Sequence, residues 1–430
     1  MTSTLLSTPA LNAPTIHTLP NGLTIVAEQM PLDAVNLNIW LNVGSVKESD
    51  EINGMAHFLE HMVFKGTPRL KGGDFERLIE ERGAVTNAAT SHDYTHYYIT
   101  TAPKDFAELA PLQFDVVLNP EIADSAFERE RLVVLEEIRR TEDSPGRRMY
   151  YRAMETCFDT LPYRRPVLGP ASVIEALAPQ QMRDFHSQWY QPQSMTAVAV
   201  GNLPVDELID TVKNAFEQVS GGVYTGETAV NKGGSQWSPE SPFKEIVRQE
   251  YVDETLQQAR LVMVWRVPGM AQLADTYALD VLAVILGQGK VSRLFRDLRE
   301  ERGLVSHIGV SNVTQWLQGA FYISALLPVE NLAEVELAIR EHIERLHTEL
   351  VAESDLIRIR TQVANRFIFS NERPGDRANI YGYYHSQLGS LTPAISYPDQ
   401  IRSITPEDVQ AAAQQYLFPN AYGVVVMKPE

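Results

Sequence analysis

The chain has 430 residues, 44% apolar and 21% charged, an ordinary globular composition long enough for two domains of about 200 residues each. A formal charge of −18 argues against a nucleic-acid partner, and no apolar run is long enough to cross a bilayer. The single cysteine, Cys157, excludes an intrachain disulfide framework, and Met1 to Thr18 has no Lys, Arg or apolar h-region, so the expected compartment is the cytoplasm.

In chain order, Asn21-Gly22 signals a turn and Leu23 to Ala27 a first strand. Val35, Leu37, Ile39 and Leu41 alternate with Asn36, Asn38, Trp40 and Asn42, which predicts a strand with one buried face. Asn53 to Gly66 predicts a helix of about three turns, with Asn53 as N-cap and Gly66 as stop. A second helix is expected around Asp74 to Glu81, closed by Arg82-Gly83. It is followed by a polar strand through Asn87, Ala88, Ala89 and Thr90 and a β-rich stretch from Tyr94 to Thr100. Two to three helices should cover about 104 to 190, and a strand at Met195 to Val200 ends the first half. Ser220 to Pro242 is rich in Gly, Pro, Ser and Thr, the composition of a linker that allows the halves to move relative to each other.

Within the helix at Asn53 to Gly66, His57, Glu60, His61 and Phe64 share one face. Two imidazoles four residues apart on a helix can reach one tetrahedral zinc ion. Two His and one carboxylate form a common catalytic set that leaves the fourth position to water. Glu60 beside them can accept a proton from that water, whose pKa zinc lowers towards neutrality. The order H-x-x-E-H is that of the inverzincins. The flank of Phe58, Leu59, Met62 and Val63 is apolar, so this helix should be buried on both sides.

A third ligand is required. Ser125 to Glu128 reads as a capping box opening a helix that runs to about Arg140, with Phe127, Val134, Leu135 and Ile138 as its apolar stripe. At about 100° per residue, Glu130 and Glu137 lie on the edge of that stripe while Glu136 points away. Of the adjacent pair, Glu137 is therefore the one that can approach a buried metal, and Glu130 sits where a carboxylate would orient a ligand. His92 and His96 share the four-residue spacing but lie in a β-rich stretch, where four residues span about 13 Å. They are not expected to meet at one ion.

The second half repeats the first. Glu80 to Val85 matches Glu300 to Val305 at an offset of 220, and Ile174 to Pro192 matches Ile401 to Pro419 at an offset of 227. Gly423 to Met427 mirrors the strand at Met195 to Val200. Each half should be one α+β sandwich of a mixed, mostly antiparallel sheet with helices, the pair arising by internal duplication. The expected division is 1–219 zinc-bearing, 220–242 linker and 243–430 second repeat. At offset 220 the zinc residues become Tyr277, Asp280 and Val281, so chemistry is confined to the first half.

These motifs together resemble the pitrilysin, insulysin and mitochondrial processing peptidase family, most closely its short members. The resemblance includes His57-x-x-Glu60-His61 followed by Glu137, Gly44-Ser45, Phe64 to Thr67, Asn87 to Thr90 and Gly289-x-x-Ser292-Arg293. It implies one zinc ion held by His57, His61 and Glu137, with Glu60 as general base and Glu130 in support. It also implies that Asn87, Ala88 and Ala89 line an extended peptide substrate that adds to the sheet edge, inside a dimeric clamshell. The family usually carries an Arg and a Tyr in the second domain that reach the substrate carbonyl. Here Arg299 is present, but the Tyr position is Ser306. The expected working form is therefore a heterodimer with a related chain that lacks H-x-x-E-H and supplies the Arg and Tyr, with a homodimer as the alternative. A non-catalytic presenting subunit is the rival reading.

Overall fold

The structure is a computed structural model that describes residues 14–220 and 237–430. The first half forms a six-stranded sheet from β1 (Thr15–Thr18), β2 (Thr24–Gln29), β3 (Val35–Leu41), β4 (Val85–Thr90), β5 (Thr95–Thr101) and β6 (Met195–Gly201). The order is β1-β2-β6-β3-β5-β4, and only β2 and β6 run parallel. Its helices are α1 (Met55–Met62), α2 (Asp74–Glu81), α3 (Phe106–Leu118), α4 (Asp124–Glu142), α5 (Pro145–Cys157), α6 (Ala171–Ala176), α7 (Pro179–Trp189) and α8 (Val205–Ser220).

The second half forms a five-stranded sheet from β7 (Val247–Val252), β8 (Ala259–Pro268), β9 (His307–Val313), β10 (Gln318–Leu327) and β11 (Gly423–Lys428), ordered β7-β11-β8-β10-β9. Again one pair, β7 with β11, is parallel. Its helices are α9 (Leu273–Gly287), α10 (Leu332–Thr348), α11 (Glu353–Phe369), α12 (Pro374–Leu388), α13 (Thr392–Ser403) and α14 (Pro406–Tyr416). The two halves are therefore duplicated α+β units. Helices α7 and α14 are the same length and each opens on proline, and Gly83 and Gly303 both take φ +63° after their matched helices.

Between 104 and 190 there are five helices, α3 to α7, not two or three. Pro145 and Pro179 each stand in a helical first turn, where a missing N–H is tolerated, so they start new helices and divide the stretch. Strand β1, pairing with β2, is also additional to the sequence reading.

A larger difference concerns β3. Val35, Leu37, Ile39 and Leu41 face the first core, as the alternation predicts. The opposite face is buried too, because α12 crosses it from the second half, packing Ala378, Tyr381 and Tyr384 around Trp40, Val26 and Val198. Asn38 and Asn36 survive burial by bonding within the sheet: Asn38 Oδ1 lies 3.0 Å from His96 Nδ1, and Asn36 Nδ2 donates to Thr100 Oγ1 at 2.8 Å. The exchange is reciprocal, since α5 of the first half covers Val262, Val264 and Val425 of the second sheet. Asp93 joins the halves at a further point, its carboxylate accepting from the Trp316 backbone N–H at 3.0 Å and the Tyr163 hydroxyl at 2.9 Å.

These crossings oppose the relative motion that the long linker suggested. Of that linker, 221–236 lie outside the described residues, and its far end is pinned by Glu240, which accepts from the backbone N–H groups of Asp159, Thr160 and Leu161 and pairs with Arg266.

Gly382 is what lets α12 lie against Trp40. A Cβ there would stand 2.0 Å from the indole Nε1. Gly382→Ala should therefore overpack this contact and destabilise the protein by about 1–3 kcal/mol, measured as a lowered urea midpoint.

Candidate metal centre

Helix α1 starts later than its sequence suggests. Its N-cap is Gly54, at φ +100°, rather than Asn53, and no side chain of that residue can cap it. The capping group comes from Glu48, whose buried carboxylate accepts from the backbone N–H of Gly54 at 2.8 Å and Ala56 at 2.7 Å and from Asn53 Nδ2 at 2.9 Å. Burial outweighs these bonds and pushes the Glu48 carboxyl up to about 7. The helix continues as a 3₁₀ turn, Val63–Lys65, and stops at Gly66 with φ +123°.

Helix α4 begins at Asp124 with Ala123 as N-cap, so the capping box expected at Ser125 does not form. Arg183 of α7 decides this: its guanidinium donates to Ile122 O and to Asp124 Oδ1, each at 2.9 Å, and fixes the helix start two residues earlier. The helical phase is unaffected. Phe127, Val134 and Ile138 enter the core, and Phe127 stacks on Phe58 of α1 with ring centroids 4.5 Å apart.

This packing brings the histidines of α1 to Glu137 of α4. Glu137 Oε2 lies 3.6 Å from His57 Nε2 and 3.5 Å from His61 Nε2, and one donor atom from each of the three residues falls within 4.8 Å of the others. Two ligands about 2.1 Å from a tetrahedral zinc are about 3.4 Å apart. The two separations from Glu137 match that spacing, and the donor set suits that ion. His57 is buried, and burial together with the neighbouring His61 pushes its pKa down to about 4, leaving the ring neutral with a lone pair to offer.

Around the triad, Glu130 Oε1 lies 3.0 Å from His61 Nδ1 and its Oε2 is 2.9 Å from Lys65 Nζ. Burial alone would raise Glu130, but these two partners hold it below the usual carboxylate range. Burial likewise disfavours charge on His61, yet its bonds to Glu130 and Glu137 prevail and raise it to about 9. Glu60 stands beside the triad, not in it. Thr90 Oγ1, at the end of β4, donates to Glu60 Oε2 at 2.5 Å, and burial raises the Glu60 carboxyl despite that bond. Glu136 turns outward to Arg139 and Arg140.

The family models match the same two halves. Residues 24–171 match that of insulinase, peptidase family M16, and residues 176–363 match that of the peptidase M16 inactive domain. An uncharacterised zinc protease of Mycobacterium tuberculosis is 30% identical over 97% of this chain and 93% of its own length. The chain belongs to peptidase family M16. Within that family, the zinc protease PqqE of Helicobacter pylori is 26% identical over 96% of this chain and 92% of its own. A crystal structure of a protease from Helicobacter pylori superposes with a TM-score of 0.88 at 26% identity, covering 97% of this chain and 99% of that one. A putative M16-like peptidase from Alicyclobacillus acidocaldarius, 20% identical over 99% and 100% of the two chains, shares the fold with a TM-score of 0.83.

The other sequence-derived residues are placed as follows. Asn87, Ala88 and Ala89 lie on β4, the sheet edge next to Thr90. Arg299 is half-exposed on the helical segment Phe295–Glu301, over the Phe295 ring and beside Glu300, and contacts none of the metal-site side chains. Ser306 bonds Gln258 and the Leu326 carbonyl. His92 and His96 are separately buried, one against the Arg165 carbonyl and the other stacked on Trp40.

The sequence reading missed Lys65, Thr90 and Glu48 as working parts of the site. Lys65 and Thr90 fall within quoted motifs, but nothing local says which carboxylate each would meet. In the second half, Asp280 stands where Glu60 does and is absorbed by Asn312 and Tyr397, each 2.8 Å away.

Glu137→Gln should weaken zinc binding by more than the 10–100-fold typical of an outer-shell loss, whereas Glu136→Gln should leave it unchanged, as measured by competition with a chromogenic chelator. Glu130→Gln should fall between them.

Proposed function

We propose that the protein is a zinc metalloendopeptidase that hydrolyses extended or unfolded peptides, with residues 1–219 as the catalytic unit. The observation that carries this reading is the convergence of His57, His61 and Glu137 at zinc-ligand spacing with an additional carboxylate, Glu60, at its side. The zinc-protease names of the relatives point the same way.

When bound, zinc would supply Lewis acidity for the scissile carbonyl and for an attacking water. Glu60 accepts the proton of that water and returns it to the leaving amine. Burial raises its carboxyl, which makes it a stronger base towards that water. Glu130, kept ionised by His61 and Lys65, holds the His61 ring so that Nε2 faces Glu137. Thr90 fixes the Glu60 carboxylate to the end of β4. Among the described residues that strand pairs on one side only, with β5, and its other edge can take an extended peptide as a further strand along Asn87, Ala88 and Ala89. Folded chains cannot offer a bare strand there, which selects for unfolded substrates.

The working form in this reading is a heterodimer. Ser306 is too short to replace a phenol and its hydroxyl is occupied by Gln258, so a related chain lacking H-x-x-E-H supplies the Arg and Tyr opposite the zinc site. The homodimer and the non-catalytic presenting subunit are the alternatives that the assays below separate.

Glu60→Gln should retain one zinc per chain and lose turnover of an unfolded peptide by about 10²–10⁴-fold. Near-parental cleavage at full zinc content would remove Glu60 from the mechanism. Co-purification with the related chain should raise the cleavage rate above that of this chain alone. Full activity alone, unchanged on mixing, would exclude the heterodimer.

A further inference from the structure

A cavity of about 280 Å³ lies where the start of α5 crosses the second sheet. Its floor is a row across three strands, since His307 of β9 pairs with Leu326 of β10, which pairs with Arg260 of β8. Ser324 and Tyr322, two and four residues before Leu326, point to the same face, and Met149 and Tyr150 of α5 form the opposite wall. The lining is apolar apart from Tyr150, Arg260, His307, Tyr322 and Ser324.

Arg260 is the anomaly. The chain holds 55 acidic residues against 37 Lys and Arg, yet among the described residues no carboxylate and no hydrogen-bond acceptor meets its guanidinium, and its Nε is buried. Leaving a buried donor unmet is costly. The guanidinium lies beside the first turn of α5, with Nη1 4.0 Å from the point where Gly146 would carry a Cβ.

The duplicated half fills the same position with a shorter, uncharged side chain. There Pro374-Gly375 opens α12 as Pro145-Gly146 opens α5. The second residue of the crossed strand is Asn36, whose Nδ2 lies 3.5 Å from the Cβ position of Gly375 and is bonded to Thr100. One half ties its junction residue through Asn36 Nδ2, with Oδ1 buried and unmet, and the other, among the described residues, leaves the charged Arg260 guanidinium unpaired beside a cavity.

We infer that this cavity captures the carboxyl end of a peptide, with Arg260 pairing bidentately with the terminal carboxylate and the last side chain lying against Met149 and Tyr150. The planar guanidinium fork matches a carboxylate, and an unpaired arginine with an apolar wall suits a chain end that carries both charge and a side chain. The site is near enough to serve the metal centre. Gly146 follows Glu137 by nine residues, five of them in α4, so the two lie within about 22 Å, a reach of about seven extended residues. The assignment rests on the peptidase reading for its ligand, and deepens it: peptides with a free carboxyl end close to the bond to be cut are the favoured class.

The test uses the zinc-loaded full chain carrying Glu60→Gln, so that nothing is consumed, and an N-terminally fluorescein-labelled uncharged decapeptide ending in Leu, as free acid and as amide. Anisotropy should show the free acid binding at least tenfold tighter. Adding Arg260→Gln should bring the acid to the affinity of the amide and leave the amide unchanged, and Arg260→Lys should restore part of the difference. Melting temperatures of the variants within a few degrees of the parent show that folding is intact. Acid and amide binding equally to the parent, or both falling together in Arg260→Gln, would overturn the proposal. So would an amidated peptide with Glu near its end binding as tightly as the free acid, because the carboxylate recognised would then be a side chain. Cleavage of either peptide by the chain with Glu60 intact is scored separately. Discrimination without cleavage leaves the pocket and removes the peptidase reading, and cleavage without discrimination does the reverse.

Discussion

The arrangement depends on one packing contact, the seating of α1 against α4 through stacked Phe58 and Phe127. A metal site needs three donors held within tenths of an ångström, and helical side chains achieve that only if the helices that carry them cannot slide. Here the contact is buried in the first core. From it follow the 3.5 and 3.6 Å spacings of His61 and His57 to Glu137 and the approach of Glu130, two turns earlier on α4, to His61. Glu48 fixes α1 at its start, replacing a local cap with a carboxylate from outside the helix.

Duplication supplies the second constraint. Two copies of one α+β unit could each stand alone with an exposed sheet face, but each half here lends a helix to cover the other. The exchange buries polar strand residues such as Asn36 and Asn38, which is tolerated because each finds a partner within its own sheet. It also makes the junctions at the starts of α5 and α12 comparable, and comparison shows what diverged. The half that brings His57, His61 and Glu137 together has an uncharged junction at Asn36. The other half has Tyr277, Asp280 and Val281 at the corresponding positions, with Asp280 tied to Asn312 and Tyr397, and has a junction lined by Arg260.

Chemistry and architecture are therefore divided between the halves in a physically consistent way. Glu60 is held by one neighbour, Thr90, through its hydroxyl and its backbone N–H. Asp280, bonded on both oxygens, has no free face. Conversely, an arginine can receive an anion only where no internal acid has taken it.

Much of the site was legible in the sequence. Helical periodicity alone put His57, Glu60 and His61 on one face, and the phase of α4 separated Glu137 from Glu136, because the apolar stripe of a helix fixes which neighbours turn inward. The repeat was equally visible, since Pro and Gly punctuate both halves at nearly one offset. What local pattern could not decide were quantities set by distant chain. The burial of both faces of β3 depends on α12, more than 330 residues later, and the start of α4 depends on Arg183. The capping of α1 falls to Glu48 because Gly54 has no side chain to offer. Whether Arg260 has a partner is likewise a property of the whole fold, because pairing is decided by which carboxylates the tertiary structure brings within reach and not by any spacing along the chain.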